Sequence, residues 1–335
     1  MISSESISQE DAITVADLGE FGLIAAIRGV LPADPPGVLG MGDDGAVLPV
    51  PDGRVVASTD LLIEGRHFRQ GWSPAVDIGV KAAAQNFADI AAMGATATAL
   101  LFGLAVPGDV SAAWVLDVTR GLAGECERAG ALIAGGDVTS SDSVMLAITA
   151  LGSLGGRQPV TRTGAKPGDV LAISGPVGMS AAGLALLQGG QAAAGPELSR
   201  LLTAHRRPQP DYAAGPLAAA AGATSMIDIS DGLVADLGHI AEASGVLLDV
   251  RSASLPGTRD LEPAAERLGT DWRDWALGDG EDHALAATFP EMAAVPPGWT
   301  VIGTARAGAG ILVDSEPWRG SAGWDHFRIT GAFPA

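Results

Sequence analysis

Carboxylates that close apolar runs or stand in glycine turns are the residues of this chain with the clearest chemical potential. Six segments carry them: GMGDDGAV (Asp43, Asp44), VVASTDLLIEGRHF (Asp60, Glu64), NFADIAAMG (Asp89), LIAGGDVTSSDS (Asp137), MIDISDGLVADLGH (Asp228, Asp231, Asp236) and GDGEDH (Glu281, Asp282). Strand ends and glycine turns are where a scaffold presents function. Acids gathered there repel one another unless a cation sits among them. Lys81 and Lys166 are the only lysines, beside eighteen arginines, so the counter-charge reads as a metal ion. Oxygen-only ligands suit Mg²⁺ or Ca²⁺, and Mg²⁺ takes a few carboxylates together with substrate phosphates. The pattern points to a nucleotide–metal site. Taken singly, each acid reads better as a helix cap or a solvated turn; six together favour a site.

Other phosphate-handling motifs fail. No G-x-x-x-x-G-K-[ST] occurs, which removes the P-loop. Gly40-Met41-Gly42-Asp43-Asp44-Gly45 matches G-x-G-x-x-G. However, it follows a proline loop rather than a strand, and two bare carboxylates would repel a pyrophosphate. Neither G-x-S-x-G nor H-E-x-x-H is present, so serine-hydrolase and zincin readings lack support.

The elements that must hold these acids follow from periodicity and punctuation. A helix is predicted over 16–30, ended by PADPPG, and two short strands over 46–50 and 54–58 around a PDG turn. Ser73-Pro74 starts a helix that runs to about Met93 and stops at Gly94. A strand at 96–106, a helix at 111–129 ended by Gly130, and strands at 131–134 and 143–154 complete a first domain, 16–154. Residues 1–15 read as a loose extension. A second domain, 155–335, is predicted to hold strands at 170–174, 225–229, 246–250, 284–288 and 301–305. Helices are predicted at 180–187 and 233–243, with an Ala/Gly/Pro-rich stretch over 189–222. Strands and helices mix without a strict βαβ rhythm, which indicates a two-domain α+β protein.

The 335 residues are 47% hydrophobic, enough for sizeable cores. Lys and Arg number 20 and Asp and Glu 39, a net charge of −19. Such a surface repels phosphate backbones, so no nucleic-acid partner is expected. The single cysteine, Cys126, cannot form an intramolecular disulfide, which fits the cytoplasm. The N-terminus has acids where a signal peptide would have basic residues. The apolar stretch 91–106 is short and carries Gly94 and two threonines, so no membrane span is expected.

In order along the chain stand GEFGLI, GDD (42–44), STDLLIEGRHF (58–68), NFADIAAMGA (86–95), GGD (135–137), TRTGAKPGD (161–169), DISDGLVADLGHI (228–240), GED (280–282) and GWDHF (323–327). With these motifs the chain resembles the thiamine-monophosphate kinases, in the superfamily of aminoimidazole-ribonucleotide synthetase and selenophosphate synthetase. The resemblance runs from about Leu18 to Phe327. It implies phosphorylation of thiamine monophosphate to thiamine diphosphate by ATP, assisted by several Mg²⁺ ions. It further implies an N-terminal α/β domain whose strands pair across a homodimer, a C-terminal α+β domain, and ATP between the domains near the dimer interface. Carried over position by position, Asp44, Ser58, Thr59, Asp60, Asp89, Asp137, Asp228 and Asp231 resemble the magnesium ligands. Gly136, Asp137, Arg162 and Ser230 resemble the ATP-binding residues, and His67, Glu281 and Trp324 the thiamine-monophosphate contacts. No general base or covalent nucleophile is implied, because the acceptor phosphate is already nucleophilic.

Three positions depart from the family pattern. Met179 stands where Asp is usual, and His283 where Tyr is usual; neither is expected to touch a metal motif. Thr119 is expected to replace an aromatic near the adenine. Two other functions compete: an ATP-dependent cyclase acting on a ribonucleotide, and a nucleotide-binding regulatory module with a dead site. STDLLIEGRHF and GWDHF argue against the first, and the full set of acids against the second.

Overall fold

The computed structural model describes residues 13–41, 45–190, 195–290, 295–321, 323 and 324. The expectations for residues 1–12, Asp43 and Asp44 lie outside them. Thr14 opens α1 (Val15–Val30) with a reciprocal capping box, its hydroxyl and amide both meeting the Asp17 carboxylate. Then come β1 (Val56–Ile63), α2 (Ala75–Ala92), β2 (Thr96–Val106), α3 (Ala112–Ala129), β3 (Leu132–Ser140) and β4 (Met145–Ser153). Gly130, at φ 72°, closes α3 in the left-handed conformation that glycine adopts without strain.

These four strands form one sheet in the order β1-β4-β2-β3, with only β2 and β3 parallel. Helices α2 and α3 cover one face. The period of two sorts β1 accordingly. Ser58 meets α2 and Leu62 is fully buried, whereas Ala57, Thr59 and Leu61 are exposed on the other face. The helix pair is unusually close. A Cβ on Gly79 would stand 2.0 Å from the Val118 carbonyl oxygen, and one on Gly121 2.0 Å from that of Val76.

The second sheet lies within residues 170–317. Its elements are β5 (Val170–Ser174), α4 (Met179–Gln188), α5 (Pro196–Arg206), α6 (Ala214–Ala220), β6 (Ser225–Asp228), α7 (Leu233–Ser244), β7 (Leu247–Val250), α8 (Thr258–Leu268), β8 (Leu285–Phe289), β9 (Thr300–Arg306), β10 (Gly310–Val313) and β11 (Glu316–Pro317). Seven strands run in the order β11-β10-β7-β9-β5-β8-β6, with only β7 and β10 parallel. β6 and β8 are buried along their whole length, as a sheet covered on both faces requires. The two-domain α+β architecture expected from sequence is the one observed.

Ala91, Ala92, Val160, Ala214, Ala218 and Phe289 belong to a smaller core between the two larger ones. The chain after α5 also straps the domains together. Arg207 pairs with Asp77 of α2 at 3.4 Å, and the Tyr212 ring packs edge-on against Phe87 at 5.7 Å.

Some local expectations change. Residues 46–50 form no strand; Leu39 and Val47 share an isolated bridge. The strand expected over 54–58 starts at Val56 and continues to Ile63, and β3 continues through GGD to Ser140. The stretch 189–222 holds α5 and α6, and α8 and β10 were not anticipated.

Candidate functional site

A cleft of about 1100 Å³ opens between the domains. β1 contributes Ser58 and Asp60, and α2 contributes Gln85 and Asp89. Asp228 ends β6, and Ser230 and Asp231 follow in the loop to α7. Arg162, His67, Glu281 and Trp324 complete the set. Of the metal, ATP and substrate residues that the resemblance implies, ten therefore line one space: Ser58, Asp60, His67, Asp89, Arg162, Asp228, Ser230, Asp231, Glu281 and Trp324; His283, one of the departures from the family pattern, lines it too.

Local hydrogen bonds aim these groups. Ser58 Oγ donates to Asp89 Oδ2 at 2.6 Å, and Gln85 Nε2 to Asp60 Oδ2 at 3.2 Å. Burial, with the carboxylates of Asp228 and Asp60 nearby, pushes the Asp89 carboxyl up to about 7. The Ile63 amide donates to His67 Nδ1 at 3.0 Å, so the neutral imidazole carries its proton on Nε2. The Trp324 amide donates to the Asp231 carbonyl at 2.9 Å, which ties the indole to the acid loop.

Two acids that the sequence placed with the others do different work. Asp236 accepts from the amides of Ser230, Asp231 and Gly232 at 3.0, 3.0 and 3.1 Å, and so shapes the acid loop from beneath. Asp282 accepts from the amides of Gly178 and Ser180 and caps α4.

The cleft does not gather every expected residue. Thr59 points away from it, donating to the Ile148 carbonyl at 2.9 Å on β4. Gly136 and Asp137 sit on β3, at the sheet edge opposite β1. Gly136 is in close contact with β2, where a Cβ would meet the Phe102 carbonyl oxygen at 1.9 Å. Thr119 is fully buried, donates to Val115 O within α3, and does not line the cleft. His283, expected to avoid the metal motifs, instead places Nδ1 3.3 Å from Asp228 Oδ2. Met179 begins α4 and packs in the C-terminal core.

The donor set suits a hard cation: carboxylates and a hydroxyl, no thiolate, with a crowded acid whose pKa is raised partly by its neighbours. Among the described residues no three acids, histidines or cysteines are gathered closely enough to hold a metal ion by themselves.

Sequence reasoning gave Lys81 and Gln85 no place in the site. Lys81 is 3% exposed, and its Nζ lies 3.0 Å from Glu281 Oε1. The available signal was one lysine in the apolar run of α2; buried lysines are rare unless paired.

Two domains around an acid-lined cleft define the class, and sequence models agree. The AIR synthase related protein N-terminal domain matches residues 42–154, and its C-terminal domain 166–295. The thiamine-monophosphate kinase of Mycobacterium tuberculosis is 49% identical over 318 residues, 94% of this chain and 93% of that protein. That of Escherichia coli K12 is 37% identical, over 92% of this chain and 98% of its own. A solved structure of AaThiL complexed with AMPPCP and TMP superimposes with a TM-score of 0.77 at 31% identity, covering 97% of this chain and 100% of that one. The chain belongs to the thiamine-monophosphate kinase family.

Proposed function

We propose that this protein phosphorylates thiamine monophosphate to thiamine diphosphate with ATP, by direct Mg²⁺-assisted in-line transfer. The observation that carries this reading is the single cleft in which acids of both domains face Arg162, His67, Glu281 and Trp324. Acids alone would suit many metal sites. Acids beside an arginine fork, a histidine and an exposed indole suit two phosphates and a cationic heteroaromatic.

Asp44, Ser58, Thr59, Asp60, Asp89, Asp137, Asp228 and Asp231 would hold the Mg²⁺ ions. Bound Mg²⁺ would supply the charge neutralisation that lets the polyphosphate of ATP approach the phosphate of the substrate. Arg162 grips phosphate oxygens with two parallel N–H bonds, and Gly136, Asp137 and Ser230 contact ATP. His67 donates from Nε2 to the substrate. Glu281 accepts from the aminopyrimidine, and Trp324 stacks on the ring system. None of these residues takes the phosphoryl group, because the acceptor oxygen is already anionic.

Gly136, Asp137 and Thr59 enter this scheme through a second copy. β1 and β3 are the two edges of the N-terminal sheet, and among the described residues Ala57, Thr59 and Leu61 are exposed on its face away from α2. A homodimer pairing these sheets would bring the GGD motif of one copy toward the cleft of the other. Among the described residues no helix is long and apolar enough to cross a membrane. We place the reaction in the cytoplasm, where the lone Cys126 stays reduced.

Purified protein, ATP, Mg²⁺ and thiamine monophosphate are expected to give thiamine diphosphate, with no product when Mg²⁺ is chelated. ATP carrying a chiral γ-phosphate is expected to react with inversion. Absence of product overturns the activity, and net retention overturns direct transfer.

A further inference from the structure

We propose that Lys81 is a positioning residue of the substrate subsite, fixing Glu281 and the His67 loop in one geometry across the domain boundary. The proposal rests on the reading above, in which Glu281 and His67 contact thiamine monophosphate.

Lys81 comes from the middle of α2, in the N-terminal domain. Its Nζ lies 3.0 Å from Glu281 Oε1 in the C-terminal domain and donates to the His67 carbonyl at 3.2 Å. One ammonium thus binds both substrate-facing segments. Glu281 is clamped from its other side too. Its Oε2 lies 3.4 Å from Nδ1 of the buried His205, on α5, which in turn lies 3.1 Å from Ser180 Oγ. The Glu281 backbone sits at φ 64°, a strained setting for a non-glycine residue, and its amide donates to the Ser230 carbonyl at 2.9 Å. Gly280 makes that approach possible, since a Cβ there would stand 2.0 Å from Ser230 O.

The Glu281 side chain still keeps 31% of its surface exposed, toward the cleft. Burial pushes its carboxyl up, but the Lys81 ammonium beside it outweighs this and the carboxyl is pulled down to about 2, so at neutral pH it only accepts hydrogen bonds; His205, whose burial lowers its pKa to about 3, stands beside it as a neutral ring. That suits an amino group of the substrate.

A buried ion pair is weak evidence for stability, because well-packed apolar groups often serve as well. The residue type adds to the case. A chain with eighteen arginines and two lysines places one of the lysines here. A compact ammonium with three donors reaches the Glu281 carboxylate and the His67 carbonyl at once.

The test is steady-state kinetics on the full-length protein, each substrate varied in turn, for Lys81→Met, Glu281→Gln and the double variant, with a melting curve for each. Lys81→Met is expected to raise KM for thiamine monophosphate at least ~10-fold, as loss of a hydrogen bond to a charged group does, and to leave KM for ATP unchanged. In the Glu281→Gln background the same change is expected to add little, because the two residues act as one unit. Should Lys81→Met prove too unstable to assay, Lys81→Gln, which keeps a donor without the charge, is read in the same way. A parallel rise in both KM values with a lower Tm, or full additivity with Glu281→Gln, overturns the proposal and leaves Lys81 a packing residue. If Glu281→Gln raises KM for thiamine monophosphate and Lys81→Met does not, the positioning role alone fails. If Glu281→Gln leaves that KM unchanged, the subsite reading fails and takes the proposal with it.

Discussion

The two sheets of this molecule solve different problems. Along β6 and β8 the C-terminal sheet is buried on both faces, and its cleft acids stand at or after a strand end: Asp228 closes β6, and Asp231 follows in a loop. Among the described residues the N-terminal sheet is covered on one face only, and its cleft side chains project from within a strand. Ser58 and Asp60 point to the helix side, while Thr59 between them points the other way. A buried sheet leaves function to its loops, whereas a half-covered one can present groups from both faces.

If the contrast holds, the largest effect belongs to the interior of the C-terminal sheet. Phe289 on β8 is fully buried and packs edge-on against Trp299 at 5.5 Å. Phe289→Ala is expected to cost about 3–5 kcal/mol of stability, read by denaturant titration. A loss below ~1 kcal/mol would mean that β8 is not packed on both faces as described.

Next come the acids, one from each sheet. Asp60→Asn and Asp231→Asn are each expected to lower turnover at least ~100-fold, about 2.7 kcal/mol of transition-state stabilisation. Melting temperatures without metal should hold or rise, since one of several crowded carboxylates has lost its charge. Near-normal turnover in either variant would make that acid a structural cap and break the symmetry between strand-borne and loop-borne ligands.

A smaller effect is expected at Trp324, which is 49% exposed beside the acid loop. Trp324→Ala should raise KM for thiamine monophosphate by roughly 5- to 30-fold and spare KM for ATP, as loss of about 1–2 kcal/mol of stacking implies. Equal changes for both substrates would make it an anchor for the C-terminal segment.

The smallest change to the fold is expected on the uncovered face. Leu61→Ala should shift the stability of the dilute single chain by no more than about 0.5 kcal/mol. Sedimentation should nevertheless show weaker self-association if a second copy covers Leu61. A loss as large as that of Phe289→Ala would mean that this face is buried within one chain.

Much of this was legible in sequence where a residue type has one physical reason to be present. Ser111 and Gly130 bracket α3, and Gly94 ends the second helix's turn. The strand-end acids announced the cleft because carboxylates there need a partner. The rest was hidden for equally physical reasons. α6 is built of small residues that blur any helical period, and Pro263 interrupts the reading of α8; α5 did carry a signal, Leu198, Leu201, Leu202 and His205 at helical spacing, which the Ala/Gly/Pro-rich composition around it masked. Asp236 and Asp282 look like ligands until the amides they cap are seen. Lys81 gained a role only when two domains closed on it, and no spacing along one strand or helix encodes that. Thr59 shares a motif with cleft residues yet faces elsewhere, and the GGD residues Gly136 and Asp137 sit at the far edge of the sheet, because alternation along a strand and order across a sheet are separate facts.

The glycine contact between α2 and α3 carries a consequence for how the site tolerates change. Asp89, Gln85 and Lys81 all ride on α2, and the depth at which that helix lies is set where Gly79 meets the α3 backbone at Val118 and Gly121 meets the α2 backbone at Val76. A methyl group at either glycine meets a carbonyl oxygen that no rotamer change can move aside. The helix itself must translate, and every group it carries travels with it toward the cleft. The geometry of the cleft is fixed here by a spacer with no side chain, so it can be detuned by a substitution on the far side of the helix, outside the cleft itself.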